Sequence, residues 1–387
     1  MKIVLMPDSL KESLSAFEVA DAMANGIRNV FSDAEIISCP LADGGEGTVD
    51  ALVHATGGYK VEVLVHDPLM RRIKASYGIL GDQVTAVIET AAASGLALLN
   101  KQDRNPMITT SFGTGELIAD ALNKGIRKFI IGLGGSGIND GGAGMAQALG
   151  VSLLDALGKE LQKGGGALMN LVDIDVSGIH DALKSAEFTI ASDVTNPLTG
   201  SNGASRVFGP QKGATEAMVA ILDKNLSNYA SVIKEQMGTE IDNIAGAGAA
   251  GGLGAGILAF CGGVIKSGFP LIAELAKVED KLENADIIFT AEGKSDLQTL
   301  SGKLPLGVGK IGQKHGIPVF LLTGYAAPGA EELLKHGITC IIPFQNGPMT
   351  LKESVNDAYD LVSQTSANVL RLFLAGRKNK PALRAGL

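Results

Sequence analysis

Residues 2–39, KIVLMPDSLKESLSAFEVADAMANGIRNVFSDAEIISC, decide the fold. Lys2 to Met6 is a short apolar, β-branched run of buried-strand length, and Pro7 to Ser15 is polar. Ala16 to Phe31 repeats its apolar residues at helical spacing, and Glu35 to Cys39 is a second β-branched run. Strand, helix and strand in succession make a βαβ unit with parallel strands, because the helix carries the chain back across the sheet. The same signature returns at the far end of the chain. Asp286 to Thr290, Val319 to Thr323 and Thr339 to Pro343 read as buried strands, with a helical pattern at Gly329 to His336. Right-handed crossovers put the C-terminal ends of such strands on one edge, where open α/β sheets hold their ligands.

The middle of the chain reads differently. Lys60 to Val65, Arg72 to Leu80 and Val84 to Glu89 are close runs separated by His66-Asp67-Pro68 and Gly81-Asp82, the spacing of an antiparallel meander. Lys128 to Leu133 and Glu187 to Ser192 are two further strands, each running into a glycine-bearing polar loop. The expected fold is α/β. A Rossmann-like parallel-sheet domain, residues 1–60 and 281–387, is interrupted by a second, mixed α/β domain, residues 61–280.

Composition narrows the function. Of 387 residues 51 are glycine, about 13% against roughly 7% in an average chain, so much backbone approaches something closely. Lys plus Arg is 33 and Asp plus Glu is 41, a net charge of −8, which argues against a nucleic-acid partner and requires any anionic ligand to be held by a local constellation. Cys39, Cys261 and Cys340 are too far apart for a disulfide framework or a zinc-type pair. Asn243 to Ile265 is uncharged and long enough to cross a bilayer, but eight of the twenty residues from Gly246 to Ile265 are glycine, so a glycine-rich loop leading into a buried helix is expected and no membrane partner. Five residues, Ile3 to Pro7, separate Lys2 from Asp8, too few for a signal-peptide core, and the expected location is cytoplasmic. The sequence is compatible with a homo-oligomer.

Six segments carry chemistry. Asp8-Ser9-Leu10-Lys11-Glu12-Ser13 lies between the first strand and the first helix, where a lysine, hydroxyls and helix N–H groups favour an anion, the alternative being a simple cap with a solvated lysine. Asp43-Gly44-Gly45-Glu46-Gly47-Thr48 follows the second strand and suits backbone wrapped round a small polar ligand. Gly132 to Gly144 has seven glycines in thirteen residues and formally satisfies GxGxxG at Gly132, Gly134 and Gly137, with Asp155 further on; Asn139 to Gly142, however, prolong the loop where that fingerprint expects a helix. Asp193, after an apparent strand and beside Asn196-Pro197, is placed as a general base for a hydroxyl. Arg206 and Lys212 offer cations for a phosphate or carboxylate. Glu292 and Asp296, with Ser295 and Lys303 near in sequence, could hold Mg²⁺ through water. A P-loop is excluded, because the only Gly-Lys-Ser/Thr, at Gly293, would need glycine at Ile288.

Together the blocks resemble the type 1 glycerate kinase family. They are Pro7-Asp8-Ser9-x-Lys11-x-Ser13-Leu14-Ser15-Ala16, Ala42 to Thr48, Gly132 to Gly144, Asp193-Val194-x-Asn196-Pro197-Leu198, Phe208 to Ala214, Gly246 to Gly252 and Glu292-Gly293-x-x-Asp296-x-Gln298-Thr299, in the family's order. Where the family often has Thr, Arg and a hydrophobic residue in the last block, this chain has Ala291, Lys294 and Ser295. The resemblance implies a two-domain α/β kinase that uses ATP and Mg²⁺ to phosphorylate D-glycerate, with 2-phosphoglycerate the usual product. It implies Asp193 as general base, Lys11 and Lys212 as stabilisers of phosphoryl or carboxylate charge, and Glu292 with Asp296 at the metal. Asp8, Ser9, Ser13, Asp43, Gly45 and Arg206 fall to the substrate, and Gly134, Gly135, Ser136, Asp140, Gln298 and Thr299 to the nucleotide. Two other readings compete: an NAD(P)-dependent oxidoreductase acting on a small hydroxy acid, resting on Gly132-x-Gly134-x-x-Gly137, and a non-catalytic sensor of a small anion.

Overall fold

The opening stretch folds as β1 (Lys2–Leu5), α1 (Ala16–Arg28) and β2 (Glu35–Ser38), with β1 and β2 parallel. Ser15 and Glu18 form a capping box that starts α1, and Val19, Met23 and Ile27 face the interior. The computed structural model describes residues 1–42 and 44–378, with Ser301 and Lys378 by their backbones alone. Next come α2 (Thr48–Thr56), β3 (Tyr59–His66), β4 (Arg72–Ile79), β5 (Thr85–Glu89), α3 (Ala91–Ser94), α4 (Phe112–Asn123), β6 (Lys128–Gly132), α5 (Ala143–Ala148), β7 (Ser152–Leu154), β8 (Asp173–Asp175) and β9 (Glu187–Ala191). They are followed by α6 (Ala204–Phe208), α7 (Glu216–Met237), α8 (Ala249–Cys261), β10 (Val264–Lys266), α9 (Gly268–Leu275) and α10 (Val278–Lys281). The chain then closes with β11 (Ile287–Ser295), α11 (Leu304–His315), β12 (Val319–Ala326), β13 (Ile338–Pro343), α12 (Leu351–Asn356) and α13 (Ala358–Lys378).

Two compact units result. Unit 1, Met1–Ala42 with Ile272–Leu387, is built on a parallel sheet ordered β13-β12-β11-β1-β2. Its core gathers Ile3, Leu5, Met23, Phe289, Leu322 and Val362. Gly26 of α1 lies so close to the Ser363 backbone of α13 that any side chain there would collide with it. Unit 2, Asp43–Leu271, is built on a mixed sheet ordered β10-β9-β6-β5-β4-β3. The expected meander is present in β3, β4 and β5, which pair antiparallel, while β5, β6, β9 and β10 pair parallel. Phe129 and Phe188 stack at 4.5 Å in its core.

The changeovers lie at Ala42/Asp43 and Leu271/Ile272, whereas the sequence patterns put them at 60/61 and 280/281. The reason at the first is that α2 belongs to unit 2: a Cβ on Gly78 of β4 would stand 2.5 Å from the Val53 side chain. The helical pattern at Gly329 to His336 forms 3₁₀ turns, Ala330–His336, confined between two left-handed glycines, Gly329 (φ 92°) and Gly337 (φ 91°). The uncharged stretch Asn243 to Ile265 becomes a left-handed turn at Ala250–Gly252 and the buried helix α8, and no helix among the described residues is long and apolar enough to cross a membrane.

Candidate active-site residues

At unit 1's sheet edge, β1 and β11 stay in step beyond the strand proper, since Met6 N donates to Phe289 O (2.8 Å) and Asp8 N to Ala291 O (3.0 Å). That register brings the Asp8 backbone alongside Glu292. The Asp8 carboxylate accepts the Ser9 N–H at 2.7 Å. Leu10 and Leu14 then close a tight turn, with the exposed Lys11 at its tip and Glu12 at φ 63°. Ser13 Oγ donates to Val355 O at 2.8 Å and ties this turn to unit 1.

A carboxylate pair stands at the C-terminal part of β11, Glu292 within the strand and Asp296 just past its end. Glu292 is 6% exposed, and burial pushes its carboxyl up to about 7. Thr299 Oγ1 donates to Glu292 Oε1 (3.0 Å) and accepts from Asp296 N (3.2 Å), linking the two acids. Asp296 is held ionised chiefly by the Lys294 ammonium at 2.8 Å, and its Oδ1 accepts the Gln298 N–H. Lys303 is near enough to favour the ionised form of both acids. Gln298 is exposed.

At unit 2's sheet edge, β5, β6 and β9 end in register at Glu89, Gly132 and Ala191. The Gly44–Gly47 loop lies on these ends, backbone to backbone. A Cβ on Gly44 would stand 2.8 Å from Ala191 O, one on Gly132 2.5 Å from Gly44 O, and one on Gly134 2.7 Å from Gly45 Cα. Glu89 holds the start of α2 by accepting the Val49 N–H at 2.8 Å, and its burial raises its carboxyl. Sequence reasoning missed Glu89, although it ends a recognised strand on this edge. After β9, Asp193 Oδ1 accepts Ser267 Oγ–H (2.5 Å) and the Gly268 N–H (3.0 Å) at the first turn of α9.

A family model described as the glycerate kinase family matches residues 3–374. The chain belongs to the glycerate kinase family. Among curated relatives of this glycerate kinase family member, the glycerate 2-kinase of Escherichia coli K12 is 48% identical over 98% of this chain and all of its own, and the glycerate kinase of Bacillus subtilis 168 is 45% identical over 95% and 97%. The crystal structure of a Salmonella typhimurium LT2 protein assigned as glycerate kinase 2 superimposes with a TM-score of 0.86 at 46% identity, covering 98% of this chain and 99% of that one. Membership makes the protein a kinase, a phosphotransferase of mixed α/β fold.

Several residues that the glycerate kinase resemblance pointed to are engaged by the protein's own groups. Asp140 is fully buried, accepting from Thr110 Oγ1, Ser111 N and Oγ, Gly142 N and Gly144 N at 2.7–3.3 Å. It thereby serves the N-terminal ends of α4 and α5 together. Lys212 is 1% exposed, donates to Ile138 O at 2.6 Å, and is pushed down to about 7 by burial, against the pull of Asp140. Ser136 is buried against Gly95. Arg206 is half exposed, 3.8 Å from Asp223. Asp140, Ser136 and Lys212 are thus buried among the loops, and Ser13 is engaged by Val355. Only Gly134 and Gly135 of the Gly132–Gly144 stretch reach the surface. Gly137 is instead packed on Gly95 and Leu96, and the next helix starts at Ala143, so the dinucleotide fingerprint is not formed and the oxidoreductase reading falls with it. Asp43 lies outside the described residues.

Mg²⁺ suits hard oxygen donors, few of them from protein and the rest from water and phosphate. Glu292 and Asp296 fit that demand, being two linked carboxylates beside the Thr299 hydroxyl; among the described residues no group of three His, Cys, Asp or Glu could hold a metal.

Proposed function

We propose that the protein transfers the terminal phosphoryl group of ATP to the C2 hydroxyl of D-glycerate, yielding 2-phosphoglycerate and ADP. The observation that carries this reading is the 48% identity to a glycerate 2-kinase along all of that enzyme's length. Asp193 serves as general base. As the hydroxyl oxygen bonds to the γ-phosphorus, its proton passes to the Asp193 carboxylate, and the bond from phosphorus to the β-phosphate oxygen breaks with its electron pair leaving on ADP. Support comes from the anchoring of Asp193 by Ser267 and Gly268, which fixes the orientation that proton transfer needs. Lys11 neutralises phosphoryl charge, Gln298 and Thr299 with Gly134 and Gly135 contact phosphates, and Asp8, Ser9 and Gly45 contact glycerate. Glu292 and Asp296 would hold Mg²⁺, which supplies charge neutralisation on the transferring phosphates. Ser13, Ser136, Asp140 and Lys212 position these groups through their bonds to the loops, and the half-exposed Arg206 offers a cation to the substrate carboxylate.

Asp193→Asn tests the base. The expected result is a fall in kcat of about 10²–10⁴-fold with an unchanged melting temperature; near-normal turnover refutes the assignment. Phosphorus NMR of the wild-type product tests the regiochemistry. One proton neighbours the phosphate oxygen in the 2-phosphate, giving a doublet, and a triplet refutes it.

A further inference from the structure

β11 and β12 run on together beyond unit 1's sheet, with Lys294 opposite Tyr325 and Ser295 opposite Ala326. The chain then turns through Ala327, Pro328 and Gly329 into the 3₁₀ segment and returns as the edge strand β13. Between these pieces is a hollow of about 580 Å³, inside the roughly 300–1,000 Å³ span of small-ligand sites. Its walls include the Tyr325 ring, 56% exposed, and Leu334, 48% exposed, with Thr339, Cys340 and Glu331 as polar members. Glu331 is fixed by accepting the Gly329 N–H at 2.9 Å.

Among the described residues no lysine, arginine or histidine lines the hollow, so a phosphate chain or a glycerate carboxylate would face the Glu331 carboxylate uncompensated. A flat, uncharged group with hydroxyls to donate matches this lining, which is the description of a nucleoside. The hollow also adjoins the acidic turn after β11, since a Cβ on Gly329 would stand 2.6 Å from Leu297 Cγ, next to Asp296. We propose that this hollow receives the adenosine end of ATP, with adenine stacked on Tyr325, the ribose hydroxyls donating to Glu331 and the phosphates leading towards the Lys294–Asp296 turn. The proposal rests on the kinase reading above and assigns its nucleoside subsite.

Cys340 is exposed in the hollow, while Cys39 and Cys261 are buried, so maleimide labelling of the native protein reports on this place alone, with Cys340→Ser as the blank. Saturating adenosine or ADP is expected to slow labelling about fivefold or more, and pyrophosphate or glycerate to leave it unchanged. Tyr325→Ala is expected to raise KM for ATP about tenfold and to leave KM for glycerate within twofold, the loss of one stacked base. Unchanged labelling with ADP, in enzyme that phosphorylates glycerate, overturns the subsite and spares the kinase reading. Protection by adenosine in protein without such turnover does the reverse. Labelling that slows with protein concentration, but not with adenosine, overturns the proposal in favour of a contact between copies.

Discussion

Asp140 shows how much one side chain settles here. Its carboxylate accepts from three backbone N–H groups and two hydroxyls with no exposure to water, and so joins the starts of α4 and α5. Asp140→Asn keeps the shape but turns an NH₂ towards backbone N–H groups, which only donate. The expected loss is about 3–5 kcal/mol of stability, read by urea unfolding, and a loss under about 1 kcal/mol removes the shared-cap argument. The residue was visible in sequence as part of a glycine-rich block, and so was Lys212; their burial was not. A motif states which residue types recur together, whereas the direction a side chain faces depends on partners far along the chain, such as Thr110 for Asp140 and Ile138 for Lys212.

At the scale of elements, the strands were readable because short β-branched runs between turn residues have few other uses, and β1, β2, β5, β6 and β9 fall within a residue or two of their expected bounds. Loops were less readable. The abundance of glycine suggested contact with phosphates, yet Gly44, Gly132 and Gly134 are needed because two loops rest on each other and on the strand ends. Gly132→Ala is the direct check. Its methyl would press on the Gly44 carbonyl and lift the Gly44–Gly47 loop, so the expected outcome is a fall in kcat/KM for glycerate of about tenfold or more, ~1.4 kcal/mol of transition-state binding. Activity within twofold of wild type shows that the loop can shift without cost. Glu89, bonded to Val49 N at the same edge, escaped notice because a lone acid at a strand end resembles any solvated one.

For the molecule as a whole, two buried groups set opposite pH trends. The Glu292 carboxyl rises from 4.5 to about 7 on folding, so the native state binds more protons than the unfolded chain between those values and stability falls as pH rises through them. The Lys212 ammonium falls from 10.5 to about 7, so the unfolded chain binds more protons there and stability recovers as pH rises above 7. Stability in metal-free buffer is therefore expected to pass through a minimum near pH 7, with limbs of up to about 1.4 kcal/mol per pH unit. Denaturant unfolding between pH 5 and 9 checks this: Glu292→Gln should flatten the acid limb and Lys212→Met the alkaline one, and a wild-type curve without the dip contradicts both. The discontinuity of unit 1 acts earlier, during synthesis. β1 is an interior strand, between β2 and β11, and β11 is made only after every strand of unit 2. As the ribosome releases the chain, the inserted body has its full set of strands while the leading forty or so residues still lack one side of their pairing. That opening segment must stay unaggregated through most of translation, which makes it the part of the nascent polypeptide most dependent on chaperone cover.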